Sequence, residues 1–386
     1  MVSTIAQPNI LMVTARYFPY MGGIETHVYE VGRRLANKGV GVTILTTVPH
    51  TLASTPSFPR EEFIDGVRII RVRAWPAQRD YYFAPEMFSL IKRGDWDLVH
   101  CQGCHTFVPP MAMLAAQAAK IPYILTFHTG GHSSKFRNKI RNMQWRMLHP
   151  LMAGASKLIG VSHFEANYFR NLLHLPIEQF IVVSNGSTLP NVMQLPAKKT
   201  DQTLIISIGR LERYKGHQHL ITALPKIREW RPGARLLILG SGPYEAALRD
   251  LIQTNGVSEY VDIRTIPPGD RQAMAEILSQ AALVALLSEY EAHPVAVMEA
   301  LALRRPVLVA ATSGLSELAE QGFVRAVSLD SSPEEIALAA RQQIEEPIVP
   351  AADLVLPSWD DCADQLRTIY DVLLKGDYSG GNQCAS

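Results

Sequence analysis

Three short clusters in this 386-residue chain combine residue types suited to a charged, hydroxyl-rich ligand. In Met21-Gly22-Gly23-Ile24-Glu25 two adjacent glycines precede a helix-forming stretch. Glycine lets the backbone approach a ligand closely, and a helix starting there turns unpaired amide hydrogens and a positive dipole end toward an anion such as a diphosphate. A plain tight turn would use the same pair. In Gly209-Arg210-x4-Lys215-Gly216 a planar guanidinium and a mobile ammonium follow an apolar run. Together they can neutralise charge growing on a departing nucleoside diphosphate without a protein-bound metal. Two solvated cations beside a surface turn would look alike. In Glu291-Ala-His293-Pro294-Val295-Ala-Val-Met-Glu299 two carboxylates are separated by seven residues. Pro294 suits the first turn of a helix, which leaves Glu291 on the loop ahead and Glu299 more than a turn inside. Carboxylates accept pairs of sugar hydroxyls, and the helix start adds amide donors. Two exposed glutamates without a role would share the spacing.

A metal is not expected. Cys101-x-x-Cys104 lies between His100 and His105, but no second ligand pair follows at finger-like spacing. The four cysteines, Cys101, Cys104, Cys362 and Cys384, are too few for a disulfide framework and fit a reducing compartment. No cofactor is expected either.

The elements that must position these clusters alternate between short apolar runs and amphipathic stretches, the pattern of parallel strands joined by crossover helices. Strands are expected at Ile10–Thr14, Val42–Thr47, Gly66–Val72 (in a hairpin excursion), Asp97–Cys101, Tyr123–Phe127, Leu158–Val161 and Phe180–Ser184. A helix over Ile24–Leu35 closes at Lys38-Gly39. The pattern restarts with a strand at Leu204–Ile208, a helix at His217–Trp230, a strand at Arg235–Leu239, a helix at Tyr244–Thr254, and strands at Val261–Arg264, Leu283–Leu287 and Val307–Val309. The fold expected is therefore α/β, two Rossmann-like doubly wound parallel-sheet domains facing across a cleft. The boundaries are residues 1–190, a linker at 191–202, a second domain at 203–357, and a terminal helix with a polar tail at 358–386 that packs back toward the first domain. In open sheets of this kind ligands bind beyond the carboxyl ends of the strands, where all three clusters fall.

Hydrophobic residues make up 47% of the chain and charged residues 19%, enough apolar surface to bury two cores rather than stay disordered. The net charge of +1 conceals an asymmetry: residues 1–195 carry 19 Lys/Arg against 11 Asp/Glu, a net of +8, which leaves −7 for the rest. A basic half can steer an anionic ligand or favour an acidic membrane surface. The stretch 134–148, with Lys135, Arg137, Lys139, Arg141 and Arg146 interleaved with Phe136, Ile140, Met143, Trp145 and Met147, suits an anionic membrane or acceptor, or is a domain helix with a solvated face. Without a leader-like segment or an apolar run of spanning length, the expected location is cytoplasmic or peripheral at the inner membrane face. No nucleic-acid partner is expected.

The order Gly-Gly-x-Glu, Gly-Arg-x4-Lys-Gly, Gly240-Ser-Gly242-Pro243 after a strand, then Glu-x7-Glu followed by Ala300-Leu301-Ala302 and Arg305-Pro306-Val307, resembles glycosyltransferase family 4, with its GT-B fold. The resemblance implies a retaining, metal-independent transferase that uses nucleotide-activated sugars. It implies that the backbone amide of Gly23, beside Gly22, meets the donor diphosphate and that Arg210 and Lys215, next to Gly209, bind the same phosphates. Glu291 would hold hydroxyls of the transferred sugar near His293, Pro294 and Val295, Glu299 the ribose hydroxyls, and His128 would stand near the sugar and the reacting centre. The backbone at 264–268, with Arg264 and Ile266, would seat the nucleobase, and Gly240 would belong to the donor-binding residues. The sequence departs from the commonest pattern at Thr129, at Asn185-Gly186-Ser187-Thr188 and at His293-Pro294, where proline removes one amide donor.

The expected activity is transfer of a hexose or N-acetylhexosamine from a nucleotide diphosphate sugar, a UDP-sugar on family frequency, to a hydroxyl acceptor of a glycan, glycolipid or small-molecule glycoside. The rivals are a nucleotide-sugar epimerase on the same fold and a non-catalytic sugar-binding protein.

Overall fold

The computed structural model describes residues 7–19, 22–48, 58–75, 82–129, 143–187, 201–267, 270–351 and 356–380. They divide into two compact units. The first takes the described residues through Thr129, those from 143 to Asn185, and those from Ser358 onward; the second runs from Gly186 to Pro357.

The first unit is built on eight strands: β1 (Asn9–Val13), β2 (Gly41–Thr47), β3 (Glu61–Ile64), β4 (Val67–Val72), β5 (Leu98–Gln102), β6 (Tyr123–Thr126), β7 (Lys157–Gly160) and β8 (Phe180–Val182). Their order is β3-β4-β2-β1-β5-β6-β7-β8, parallel throughout except for β3 against β4. Strands buried on both faces read as continuous apolar runs, and Ile10, Leu11, Met12 and Val13 of β1 are each 0% exposed. The expected strand at Gly66–Val72 is β4, and it joins the main sheet beside β2. Its partner β3, Glu-Glu-Phe-Ile, carries no signal in the sequence: it is an edge strand with no apolar run, and Phe63 is exposed.

The second unit holds β9 (Asp201–Ile208), β10 (Arg235–Leu239), β11 (Val261–Arg264), β12 (Ala281–Leu286), β13 (Val307–Ala310) and β14 (Arg325–Val327), all parallel in the order β11-β10-β9-β12-β13-β14. β9 begins at Asp201, so Asp201 and Gln202 belong to a strand and not to a linker; the remainder of the expected linker lies outside the described residues. Asp201 can lead a strand because its carboxylate is occupied by Thr203 and Arg235. The three-residue β14 has too few apolar positions to show a period.

In each sheet the chain turns from one side of its first strand to the other, between β1 and β5 and between β9 and β12. These are the switch points where loops after neighbouring strands diverge and leave room for a ligand.

The helix Trp359–Gly380 packs on the helix Gly23–Asn37 of the first unit. Trp359 and Tyr370 are almost fully buried, Arg34 pairs with Asp360 at 3.1 Å, Lys38 with Asp364 at 2.5 Å, and the Tyr370 hydroxyl lies 2.7 Å from His100 Nδ1. No helix among the described residues is long and apolar enough to cross a membrane. Trp359→Ala removes a large buried side chain and should destabilise the first unit by about 3–5 kcal/mol. Denaturant unfolding followed by circular dichroism measures this, and a loss below about 1 kcal/mol would mean the cavity collapses without cost.

Candidate functional site

The second unit brings Lys215, carried with Gly209 and Arg210 after β9, to Glu291 after β12, at its switch point, while Gly240 follows β10 and Arg264 ends β11. After β9 the chain passes Gly209 and Arg210, makes a short 3-10 turn over Arg213–Lys215, and enters the helix His217–Trp230 through Gly216. Gly216 has φ +77, and a Cβ there would lie 1.8 Å from the Leu287 carbonyl oxygen, so no other residue fits between the β9 turn and the end of β12. The buried His217 locks the base of the turn, with Nδ1 2.8 Å from Ser207 Oγ and Nε2 3.3 Å from the Arg210 carbonyl. Burial takes its pKa down to about 4, despite the backbone hydrogen bonds, so the ring is neutral.

This turn delivers Lys215 to Glu291, with Nζ 2.5 Å from Oε1 and the two side chains only 16% and 11% exposed. Burial disfavours the ammonium, but the facing Glu291 carboxylate outweighs it and holds the Lys215 pKa above the ordinary lysine value. Glu291 is itself fixed by its backbone: its amide donates to Ser313 Oγ at 2.8 Å and its carbonyl accepts from Gly314 N at 2.9 Å. Arg210 is more open and reaches Glu212 at 3.3 Å.

Pro294 stands one position ahead of the expected first turn, in extended backbone with ψ 112, and the helix begins at Val295. Val297 and Met298 give their amides to the Pro294 carbonyl at 3.1 and 3.2 Å, and the loop ahead carries Glu291 and the half-buried His293. Glu299, inside that helix, is almost completely buried and ion-paired to Arg271 of the helix Arg271–Ser279. Arg271 carries no sequence signal, because its partner lies on a different helix. Gly240 gives its amide to the Arg264 carbonyl at 2.9 Å, Arg264 is exposed and pairs with Asp262 at 2.5 Å, and Ile266 packs on the apolar core. Pro268 lies outside the described residues.

Gly22, Gly23 and His128 belong to the first unit. Gly22 caps the helix Gly23–Asn37, and a Cβ on it would meet the Glu25 carboxylate at 2.7 Å. A Cβ on Gly23 would meet nothing within 4 Å among the described residues, so packing does not demand glycine there. One turn on, His27 sets its ring edge-on to His128 with centroids 4.5 Å apart. His128 follows β6 at φ +47, and around it stand His105, whose Nε2 is 2.8 Å from the His128 carbonyl, and Gln102, whose Oε1 is 2.8 Å from His128 Nε2. No sequence signal joins His27, Gln102 and His105 to His128, since the helix Gly23–Asn37, the end of β5 with its loop, and the end of β6 are far apart in the chain. Burial lowers the pKa of His27 to about 4 and those of His100 and His128 well below 6.5.

One further expectation changes here. Trp145, grouped with the side chains facing a membrane, is 3% exposed and packs edge-on against Phe169 at 4.9 Å. Alternating cations and apolar groups mark an amphipathic stretch but do not say which apolar side chains the domain core claims. Met143 and Met147 are exposed, while 134–142 lie outside the described residues. Cys101 and Cys104 are buried thiols, and among the described residues no group of three or more His, Cys, Asp or Glu is arranged around a metal position.

The neutral buried histidines tie stability to acidity. Their folded pKa values lie below the unfolded value of about 6.5, so the unfolded chain binds more protons once the pH drops below it. Their contribution is complete above pH 6.5 and is lost as the pH falls toward 4, at up to about 1.4 kcal/mol per pH unit for each such ring. Urea unfolding at pH 7.5 and pH 5 should show a clear loss; equal stability would mean that these rings titrate normally.

Residues 21–188 match the family described as Glycosyltransferase Family 4, and residues 191–353 that described as Glycosyl transferases group 1. An uncharacterised glycosyltransferase of Methanocaldococcus jannaschii is 25% identical, over 95% of this chain and 99% of its own. Sucrose-phosphate synthase of Thermosynechococcus elongatus superposes with a TM-score of 0.75 at 19% identity, over 96% of this chain and 100% of that one. Anabaena HepE in complex with UDP-glucose gives 0.66 at 17%, over 96% and 99%. Taken with the two parallel sheets and their successive family matches, these place the chain among the family 4 glycosyltransferases, as a transferase enzyme of GT-B fold.

Proposed function

We propose that this glycosyltransferase transfers a hexose or N-acetylhexosamine from a UDP-sugar to a hydroxyl acceptor with retention of configuration. The observation that carries the reading is the Lys215–Glu291 pair at the switch point of the second sheet. It sets a cation for the donor phosphates beside a carboxylate for sugar hydroxyls. HepE, which shares the fold, has been captured with UDP-glucose, and this favours a uridine donor.

Lys215 and the more open Arg210 meet the diphosphate and neutralise the charge that grows as the bond from the anomeric carbon to the phosphate oxygen breaks. Glu291 turns its second oxygen to the transferred sugar. Glu299 takes the ribose hydroxyls, which share it with Arg271 or displace that guanidinium. The Gly23 amide meets the diphosphate from the first unit, and His128 meets the sugar. The acceptor hydroxyl attacks from the side the leaving group departs, and a departing phosphate oxygen takes its proton. The product is the glycoside and the nucleoside diphosphate, with positioning and charge stabilisation as the protein's contribution. The buried thiols outside any disulfide fit work in a reducing cytoplasm.

Lys215→Ala should lower turnover roughly 10²–10³-fold, the loss typical of one preorganised stabilising donor; product mass spectrometry over a donor and acceptor panel reads this, and near-normal turnover refutes the role. Epimerised sugar from donor alone would instead identify an epimerase. Gly23→Ala should fold with unchanged or slightly raised stability, by up to about 1 kcal/mol from its helix propensity, and yet bind UDP more weakly by calorimetry. Equal UDP affinity would remove Gly23 from the diphosphate site.

A further inference from the structure

We propose that Gln102 is a positioning residue that holds His128 as the tautomer protonated on Nε2, so that Nδ1 is presented as a hydrogen-bond acceptor. This deepens the reading that His128 meets the transferred sugar and rests on it for its catalytic meaning, but the hydrogen-bond arrangement is a property of the first unit alone.

His128 occupies the left-handed region at φ +47, where a glycine would sit without strain. A strained non-glycine residue persists only where its surroundings over-determine it, and such residues gather at functional sites. Two neighbouring strands and the loops after them supply the restraints here. From the loop after β5, His105 Nε2 donates to the His128 carbonyl at 2.8 Å. From the end of β5 itself, Gln102 Oε1 lies 2.8 Å from His128 Nε2. After β7, the fully buried Glu165 accepts from the Thr129 amide at 2.6 Å, from the Thr129 hydroxyl and from the Val161 amide at 2.9 Å. The carbonyl, the side chain and the following amide are thus each held by a different partner.

An amide oxygen can only accept, so the ring nitrogen facing Gln102 Oε1 must carry the proton. Nδ1 then keeps its lone pair, and it has no partner among the described residues. The opposite amide orientation would require the opposite tautomer. What favours the first is the rest of the cluster. Gln102 Nε2 and His27 Nε2 are the buried atoms here without a partner among the described residues. With His27 Nδ1 donating to Asn185 Oδ1 at 2.9 Å, these two atoms are a donor and an acceptor. Turning the amide would leave two acceptors. The titratable groups that face the His128 ring are His27, His100 and His105, and with burial they favour the neutral ring; Glu165 is spent on backbone amides and Thr129.

The consequence for recognition is directional. A neutral ring that presents Nδ1 accepts a hydrogen bond from a sugar hydroxyl and has no proton there to give to a leaving group. Gln102 therefore makes His128 a reader of a hydroxyl donor rather than a general acid.

The test is long-range proton–nitrogen NMR on the full chain labelled with 15N-histidine, with His128 assigned by the signals missing in His128→Asn. A protonated Nε2 and a bare Nδ1 in the wild-type protein support the proposal; the reversed pattern or averaged shifts overturn it, without any variant. In Gln102→Glu the new carboxylate should raise the His128 titration by about one pH unit or more, as an opposite charge at hydrogen-bond distance does, and in Gln102→Leu the two nitrogens should average. An unshifted titration in the first and an unchanged tautomer in the second overturn it. Gln102→Leu, which removes the acceptor, should lose about 10–100-fold in kcat/KM, the range seen when the outer partner of a metal-binding histidine is removed, whereas Gln102→Glu, which still accepts from Nε2, should retain most of it. If the NMR results hold while kcat/KM of Gln102→Leu stays at the wild-type value, Gln102 positions His128 and the sugar-contact reading of His128 falls instead.

Discussion

A buried ammonium must find a carboxylate or give up its proton, and in the second unit Lys215 has found Glu291. Much of that unit's local architecture follows from this pairing. Glycine at position 216 is required because the β9 turn must press against the Leu287 carbonyl to bring Lys215 in. Ser313 and Gly314 grip the backbone of Glu291 from the loop after β13 so that the carboxylate cannot retreat. The pair keeps the cation charged over the whole physiological range.

The first unit answers a different requirement with different chemistry. Around the carboxyl end of its sheet it holds the imidazole rings of His27, His105 and His128, with His100 buried inside β5 and the amides of Gln102 and Asn185 among them. Such a network fixes the direction of its hydrogen bonds and presents neutral rings rather than charge. Its cost is sensitivity to acid, since every buried neutral ring favours the unfolded chain once protons are abundant. The terminal helix belongs to this network: Trp359 lies edge-on to His27, and Tyr370 fixes one nitrogen of His100.

Glu299 and Arg271 show a further economy. Left alone, a carboxylate as buried as Glu299 would be costly, and Arg271 neutralises it across two helices. A family 4 transferase that uses this carboxylate for a ligand has to exchange one set of hydrogen bonds for another rather than make them anew, so selectivity depends on how well the ligand's hydroxyls replace a guanidinium.

The sequence by itself determined the strand–helix alternation, the restart of the pattern in the second half, and the segments that carry Arg210, Lys215, Glu291, Glu299 and the Gly22-Gly23 turn. Those are local properties: apolar runs, helical spacing and glycine or proline punctuation are written in neighbouring residues. Tertiary structure alone decided that Lys215 pairs with Glu291, that Arg271 closes on Glu299, that Trp145 is core, and that His27, Gln102 and His105 surround His128. Each of these joins segments far apart in the chain, and which side chains meet is set by strand order and by the depth at which a helix is buried. Edge strands such as β3 stayed hidden for a related reason: the ladder to β4, not an apolar pattern of their own, defines them.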